Sequence, residues 1–285
     1  MYLCATVPLP NLDPLAAGPM AMALSHLVGD GDTPYARFFR GLSQAGSYVV
    51  LNTGAFEAAR AGRPLPTLDA TLRRAERIGA SEVQFPEDGS SGRRTIKLVE
   101  SWVRALTGED RRRYAWHAVV IGTSQRDYER CFDALAEMEP VDVLGLPKII
   151  TARCYAAACG ARDLATTRGL ALERLLPRTA KPCHLLGLDD PREVVAQRRW
   201  GARVRSVDTS AAVIHAVHGI SYPVDPLAAA ELPVDLPRFD VERPLGPAEL
   251  ERAHHNLRIL RAWCQEPSTP HRQGARSWTG EHQPS

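Results

Sequence analysis

Residues 183–193 read Cys-His-Leu-Leu-Gly-Leu-Asp-Asp-Pro-Arg-Glu, and this stretch decides the fold. A short apolar run, Cys183–Leu188, is followed at once by a helix start. Asp190 supplies a capping carboxylate, Pro191 suits the first helical position, and Glu193 completes the capping box. A strand that ends in a capped helix is one β/α unit. The same grammar recurs along the chain.

Apolar runs occur at Tyr2–Val7, Tyr48–Leu51, Glu82–Phe85, His117–Ile121, Val141–Leu146, Cys183–Leu188 and Arg203–Val207. They are rich in Val, Leu and Ile without clean alternation, the pattern of strands covered on both faces of a parallel sheet. Helical periodicity fills the gaps. Tyr128, Cys131, Phe132, Leu135 and Met138 share a face behind the cap Ser124, with Asp127 three residues on. Leu68, Leu72, Ala75 and Ile78 stripe another helix, and Ile96, Val99, Val103 and Leu106 a third. An eighth strand is not evident; Ala212–Ile220 contains either it or a short helix.

The 285-residue length suits one (β/α)8 barrel, which typically needs ~250 residues. The expected architecture is therefore α/β, a TIM barrel over residues 1–266 with an irregular Pro-rich excursion at 222–244. A terminal helix spans 247–264, striped by Leu250, Ala253, Leu257, Leu260 and Trp263, and a disordered tail follows at 267–285. An open doubly wound sheet is the alternative fold. No GxGxxG or GxxxxGK[ST] follows any strand, which disfavours its nucleotide-binding forms.

Composition is that of an ordinary globular protein, 44% hydrophobic and 24% charged. A formal charge of +2 lacks the strongly basic footprint of a dedicated nucleic-acid binder. Arg111-Arg112-Arg113 and Gln197-Arg198-Arg199 are local basic runs that read first as solvated surface. The six cysteines show no CxxC pair, so neither a disulfide framework nor a metal site is expected. The N-terminus lacks a signal-peptide pattern, and no run approaches the ~18 apolar residues of a membrane span. The default expectation is a cytoplasmic protein with no membrane partner and no cofactor.

Barrel chemistry gathers where strands end. Those ends carry Asn52-Thr53-Gly54-Ala55-Phe56-Glu57, Pro86-Glu87-Asp88-Gly89, Gly122-Thr123-Ser124 and Gly145-Leu146-Pro147-Lys148 with Arg153 beyond. Further on come His184, Gly187, Asp189-Asp190 and Ser206-Val207-Asp208-Thr209-Ser210. Carboxylates converging on one mouth suit acid–base work, attack at a sugar carbon, or recognition of a base's amino and imino edge. Glycines there let a flat ligand approach the backbone. Each residue also has a plainer reading: Asp190 as a helix cap, Asp88-Gly89 as turn chemistry, and His184 as a satisfied core histidine. Asp208, directly after a strand, is read as catalytic, with helix capping as its alternative.

The order and spacing of these motifs, from Tyr48 to Ser210, resemble the tRNA-guanine transglycosylase (queuine tRNA-ribosyltransferase) superfamily. The closest likeness is to its zinc-free, DpdA-like branch of 7-deazaguanine DNA modification. The resemblance implies a (β/α)8 barrel that exchanges a base at a ribosyl C1′ through an aspartate nucleophile. Asp208 takes the nucleophile's position, Asn52 opens the strand motif that assists exchange, and Glu57 closes it. The base-recognising acid falls on Glu87 or Asp88. Gly54, Phe56, Gly122, Gly145, Lys148, Arg153 and His184 complete the implied substrate site. Asn52 stands where the family has an aspartate and Ile121 where it has a glutamine, which points to a different base or to a small nucleoside or nucleotide. The implied partner is a nucleobase, nucleoside or nucleotide, with nucleic acid and a homodimer left open.

Two other readings stand beside it. Lys148, if buried at a strand end, would suit Schiff-base lyase or aldolase chemistry. A catalytically silent nucleotide-binding barrel or partner subunit is the non-enzymatic reading.

Overall fold

The structure, a computed structural model, describes residues 1–159, 164–226, 228, 232, 233, 236 and 242–265. Eight strands form one sheet: β1 (Tyr2–Ala5), β2 (Met20–Leu24), β3 (Tyr48–Asn52), β4 (Glu82–Gln84), β5 (Ala115–Val119), β6 (Val143–Pro147), β7 (Cys183–Leu188) and β8 (Val204–Thr209). Every ladder is parallel, running β1-β8-β7-β6-β5-β4-β3-β2. The sheet curls into a nearly closed α/β TIM barrel. At the seam, Cys4 of β1 packs with Met20 of β2 and Val50 of β3.

The eighth strand is Met20–Leu24, not a segment of Ala212–Ile220. Residues Ala211–Val217 are helical instead. Met-Ala-Met-Ala-Leu is a sequence of good helix formers, and it is extended here because its full length pairs with Tyr48–Asn52. Tertiary pairing overrides local preference. The terminal helix is Pro247–Gln265, with Leu257, Leu260 and Trp263 buried. The 267–285 tail and most of the Pro-rich excursion between 227 and 241 lie outside the described residues.

The strands do alternate, but between two buried layers. One set of side chains, including Val49, Leu51, Val83, Phe85, Trp116, Ala118, Leu144, Leu185 and Val207, belongs to the main apolar core. The opposite set is largely polar: Glu82, Gln84, His117, His184 and Ser206 are all buried. A polar barrel interior needs internal partners, because an unpaired buried polar group costs about 1–3 kcal/mol.

Two register slips shape the β7–β8 ladder. Cys183 pairs with Val204 while His184 pairs with Ser206, so Arg205 is an extra residue in β8. Further on, Leu185 pairs with Val207 and Leu188 with Thr209, which leaves the extra residue in β7. Gly187 lies in that second bulge with φ +69°, a conformation that favours glycine.

A buried ion pair braces this end of the barrel. Arg168, on helix Leu164–Leu175, holds Glu193 with Nε and Nη2. Its Nη1 donates to the carbonyls of Leu146 at 3.0 Å and Leu186 at 2.9 Å, tying β6 to β7. Arg168→Ala strands the Glu193 carboxylate and two carbonyls, and should lower the unfolding free energy by about 3–5 kcal/mol. Urea titration checks this, and a loss under about 1 kcal/mol would mean that the pair does not hold the strands.

Candidate functional site

The C-terminal ends of the strands bring Asn52, Glu87, Lys148 and Asp208 to one mouth. Asp208 is next to last in β8, and its side chain retains 18% exposure. Its Oδ1 accepts from the Gly187 backbone N–H at 3.0 Å and lies 3.1 Å from His184 Nε2. The first bond exists because the β7 bulge turns the Gly187 amide inward. One carboxylate oxygen is held while the other, Oδ2, has no hydrogen-bond partner among the described residues.

His184 lies beneath Asp208 and is fully buried, so it does not line the open mouth. Its Nδ1 is 2.7 Å from Ser206 Oγ, and its ring meets that of His117 edge-on at 5.4 Å. Below them, Glu82 anchors the interior. It accepts two bonds from Arg205, at 2.7 and 3.0 Å, and one from the Tyr48 hydroxyl at 2.9 Å. His117 Nδ1 lies 3.1 Å away. Burial pushes the Glu82 carboxyl up, but His117 and Arg205 outweigh it and hold it down at about 2. The His117 imidazole is pulled below its ordinary value by burial, against the pull of Glu82.

On the β4 side, Glu87 faces inward and Asp88 does not. Gln84 Nε2 donates to Glu87 Oε2 at 3.1 Å. Burial, helped by nearby Glu57, raises the Glu87 carboxyl to about 7 despite that bond. Asp88 is spent on local structure: Oδ1 accepts from Ser90 N at 2.9 Å, and Oδ2 pairs with Arg94. Of the two acids after this strand, Glu87 is therefore the one whose carboxyl is turned toward the interior and not spent on capping. The Gln84 Oε1 atom is buried without a partner.

The remaining expected residues divide. Asn52 spends its Oδ1 on the Gly54 N–H at 2.7 Å, which closes a turn before helix Ala55–Arg60. Phe56 is exposed on the first turn of that helix, and Glu57 is partly buried beside it. Lys148 Nζ donates to Asp189, so its amine is engaged by a carboxylate rather than presented bare. Arg153 reaches back to the Gly122 carbonyl at 3.0 Å. Two glycines serve packing: a Cβ at Gly122 would collide with the Tyr128 backbone, and one at Gly145 with His117 Nε2. Asp190 caps helix Pro191–Gln197, accepting from Arg192 N.

Sequence reasoning missed His26, Gln84, Glu82 and Arg205. His26 follows the unrecognised β2, and its Nδ1 is buried without a partner near Gly54. Burial pulls its imidazole below the ordinary value, although Glu57 opposes this. Glu82 and Gln84 sat in a run read as apolar, though both are polar residues in its alternate positions. Among the described residues, no group of three or more His, Cys, Asp or Glu side chains is disposed to hold a metal ion. No helix among them is long and apolar enough to cross a membrane.

Glu87 makes the site's electrostatics measurable. Its folded carboxyl titrates at about 7 against an ordinary value of 4.5. The stability it contributes is thus fully present below the unfolded value and is lost as the pH climbs through about 7. Between those limits the wild type should lose roughly 1–3 kcal/mol more stability than Glu87→Gln, allowing for partial exposure. Denaturant titrations at a series of pH values measure it; identical pH slopes would show that this carboxyl titrates normally.

No family model matches the chain, and no curated protein does. Among solved structures, RipC from Yersinia pestis aligns over 90% of this chain and 94% of its own, at 10% identity and a TM-score of 0.39. A likeness at that level transfers neither a fold nor an activity.

Proposed function

We propose that the chain is an enzyme that cleaves or exchanges an N-glycosidic bond of a nucleoside, nucleotide or nucleic acid, with Asp208 as nucleophile. The observation that carries this reading is the asymmetric hold on Asp208. Two donors fix Oδ1 at the barrel mouth, and Oδ2 remains open to substrate.

Breaking a bond between C1′ and a base nitrogen builds positive charge on the sugar. Asp208 Oδ2 attacks C1′ as the C1′–N bond breaks, and the bonding pair leaves with the base. The departing nitrogen needs a proton. Glu87, poised at about 7, is protonated often enough to give one near neutrality and basic enough to take one back. A second base or water then attacks C1′, loses its proton to Glu87, and displaces Asp208. Phe56, exposed at the rim, offers a face for stacking. The motif order from Asn52 to Ser210 that resembles the transglycosylases points the same way.

A panel of nucleobases, nucleosides, nucleotides and short RNA and DNA, scored by thermal stabilisation and by chromatography of released base, tests the proposal. Asp208→Asn keeps an oxygen for the Gly187 amide, so its folding free energy should stay within about 1 kcal/mol of wild type. It should retain binding and lose turnover by on the order of 10³-fold or more. Undiminished base release in Asp208→Asn would overturn the assignment.

A further inference from the structure

The hydrogen bonds beneath Asp208 have a direction, set from both ends: a guanidinium that can only donate and an ionised carboxylate that can only accept. The Arg205 guanidinium can only donate. Glu82 takes two of its N–H groups through Nη1 and Nη2, which fixes the plane of the guanidinium. The Nε–H then reaches Ser206 Oγ at 3.4 Å. That bond occupies one of the two Ser206 lone pairs and leaves the hydroxyl proton free to point at His184 Nδ1, 2.7 Å away, which accepts it when the ring proton is on Nε2. An Nδ1 that accepts leaves the ring proton on Nε2, which faces Asp208 Oδ1 at 3.1 Å. The opposite tautomer would set a bare ring lone pair against a carboxylate oxygen.

We propose that Arg205, Ser206 and His184 form a one-way donor relay whose purpose is to position Asp208. The relay fixes the His184 proton on Nε2, so that Asp208 is always held through Oδ1 and meets its substrate with Oδ2. Both bulges in the β7–β8 ladder serve it. The β8 bulge makes room for Arg205 and Ser206 to act in succession, and the β7 bulge turns the Gly187 amide onto the same Oδ1. His184 is fully buried, so it acts through Asp208 and never on the substrate. The relay stands on its own hydrogen bonds; its catalytic consequence rests on the proposed role of Asp208.

Two arms test it separately. In the first, the full chain is labelled with ¹⁵N-histidine, and two-bond ¹H–¹⁵N spectra assign the His184 tautomer, His184→Gln identifying the signal by its loss. The expected pattern is a bare Nδ1 and a protonated Nε2, giving way to exchange between tautomers in Ser206→Ala. A proton on Nδ1, or on both nitrogens, in the wild type overturns the relay. The second arm uses 7-methylguanosine, whose cationic base leaves without added acid, so that the reaction reports the nucleophile alone. His184→Leu should lower kcat by roughly 10²-fold with KM unchanged. His184→Gln, which keeps an N–H donor near the place of Nε2, should recover most of that loss. Unchanged kcat in His184→Leu overturns the positioning role. If the wild type releases no base from this probe, the glycosidic reading loses its support, while the tautomer measurement still decides the relay.

Discussion

The Glu82 carboxylate is the constraint on which the rest of this barrel depends. It is buried inside the sheet, 123 residues away in sequence from the arginine it grips. An ionised carboxylate in that place would cost several kcal/mol without compensation, and three neighbours supply it. Arg205 gives two charge-assisted bonds, Tyr48 gives one, and His117 stands in ion-pair range. These partners come from β3, β5 and β8, so satisfying one charge fixes the relative placement of strands on opposite sides of the barrel. An apolar residue at position 82 would fill the space without specifying that arrangement.

From Glu82 the order propagates upward. Because Arg205 is immobilised, its Nε–H can serve Ser206; because Ser206 is committed, His184 is oriented; because His184 is oriented, one oxygen of Asp208 is held. The price in backbone regularity is two bulges in one ladder, the usual device for aiming a side chain next to a site. Arg168 reinforces the second bulge from outside by holding the carbonyl of Leu186, the residue before Gly187. Folding stability and site geometry therefore both rest on arginines gripped by buried carboxylates, Arg168 by Glu193 and Arg205 by Glu82.

Much of this was legible in the residues. The strand at Cys183–Leu188, the caps at Ser124 and Asp190, and the terminal helix are local signals, and each forms where its sequence says, but Glu193, expected to close a capping box, holds Arg168 instead. The place of Asp208 near the mouth was legible from the end of its apolar run, although the strand runs on to Thr209 and Asp208 is its next-to-last residue. The rest was not legible, for definite reasons. β2 is built from Met, Ala and Leu, whose intrinsic preference is helical, and only pairing with β3 makes it a strand. Losing β2 also hid His26, two residues beyond it. The buried role of Glu82 is set by partners as distant as Arg205, a relation that no periodicity reports. Gly122 and Gly145 looked like ligand-approach glycines, yet what crowds them is Tyr128 and His117, each from another element.

The mouth that results places two carboxyl groups in contrasting surroundings. Asp208 sits at the end of a donor chain, with a backbone amide and an imidazole on one oxygen. Glu87 has the Gln84 side-chain amide as a donor, a neighbouring carboxylate and enough burial to reach about 7. Environments that differ this way divide labour between like groups, one suited to bearing charge toward a sugar carbon and the other to passing a proton. The division does not depend on the identity of the base. In the proposed reading, what does depend on it lies at the rim beside Glu87, where Phe56 presents an open face. If Asp208 is the nucleophile proposed above, a barrel of this kind could change its base by altering that corner alone, while the relay under Asp208 keeps the nucleophile in place.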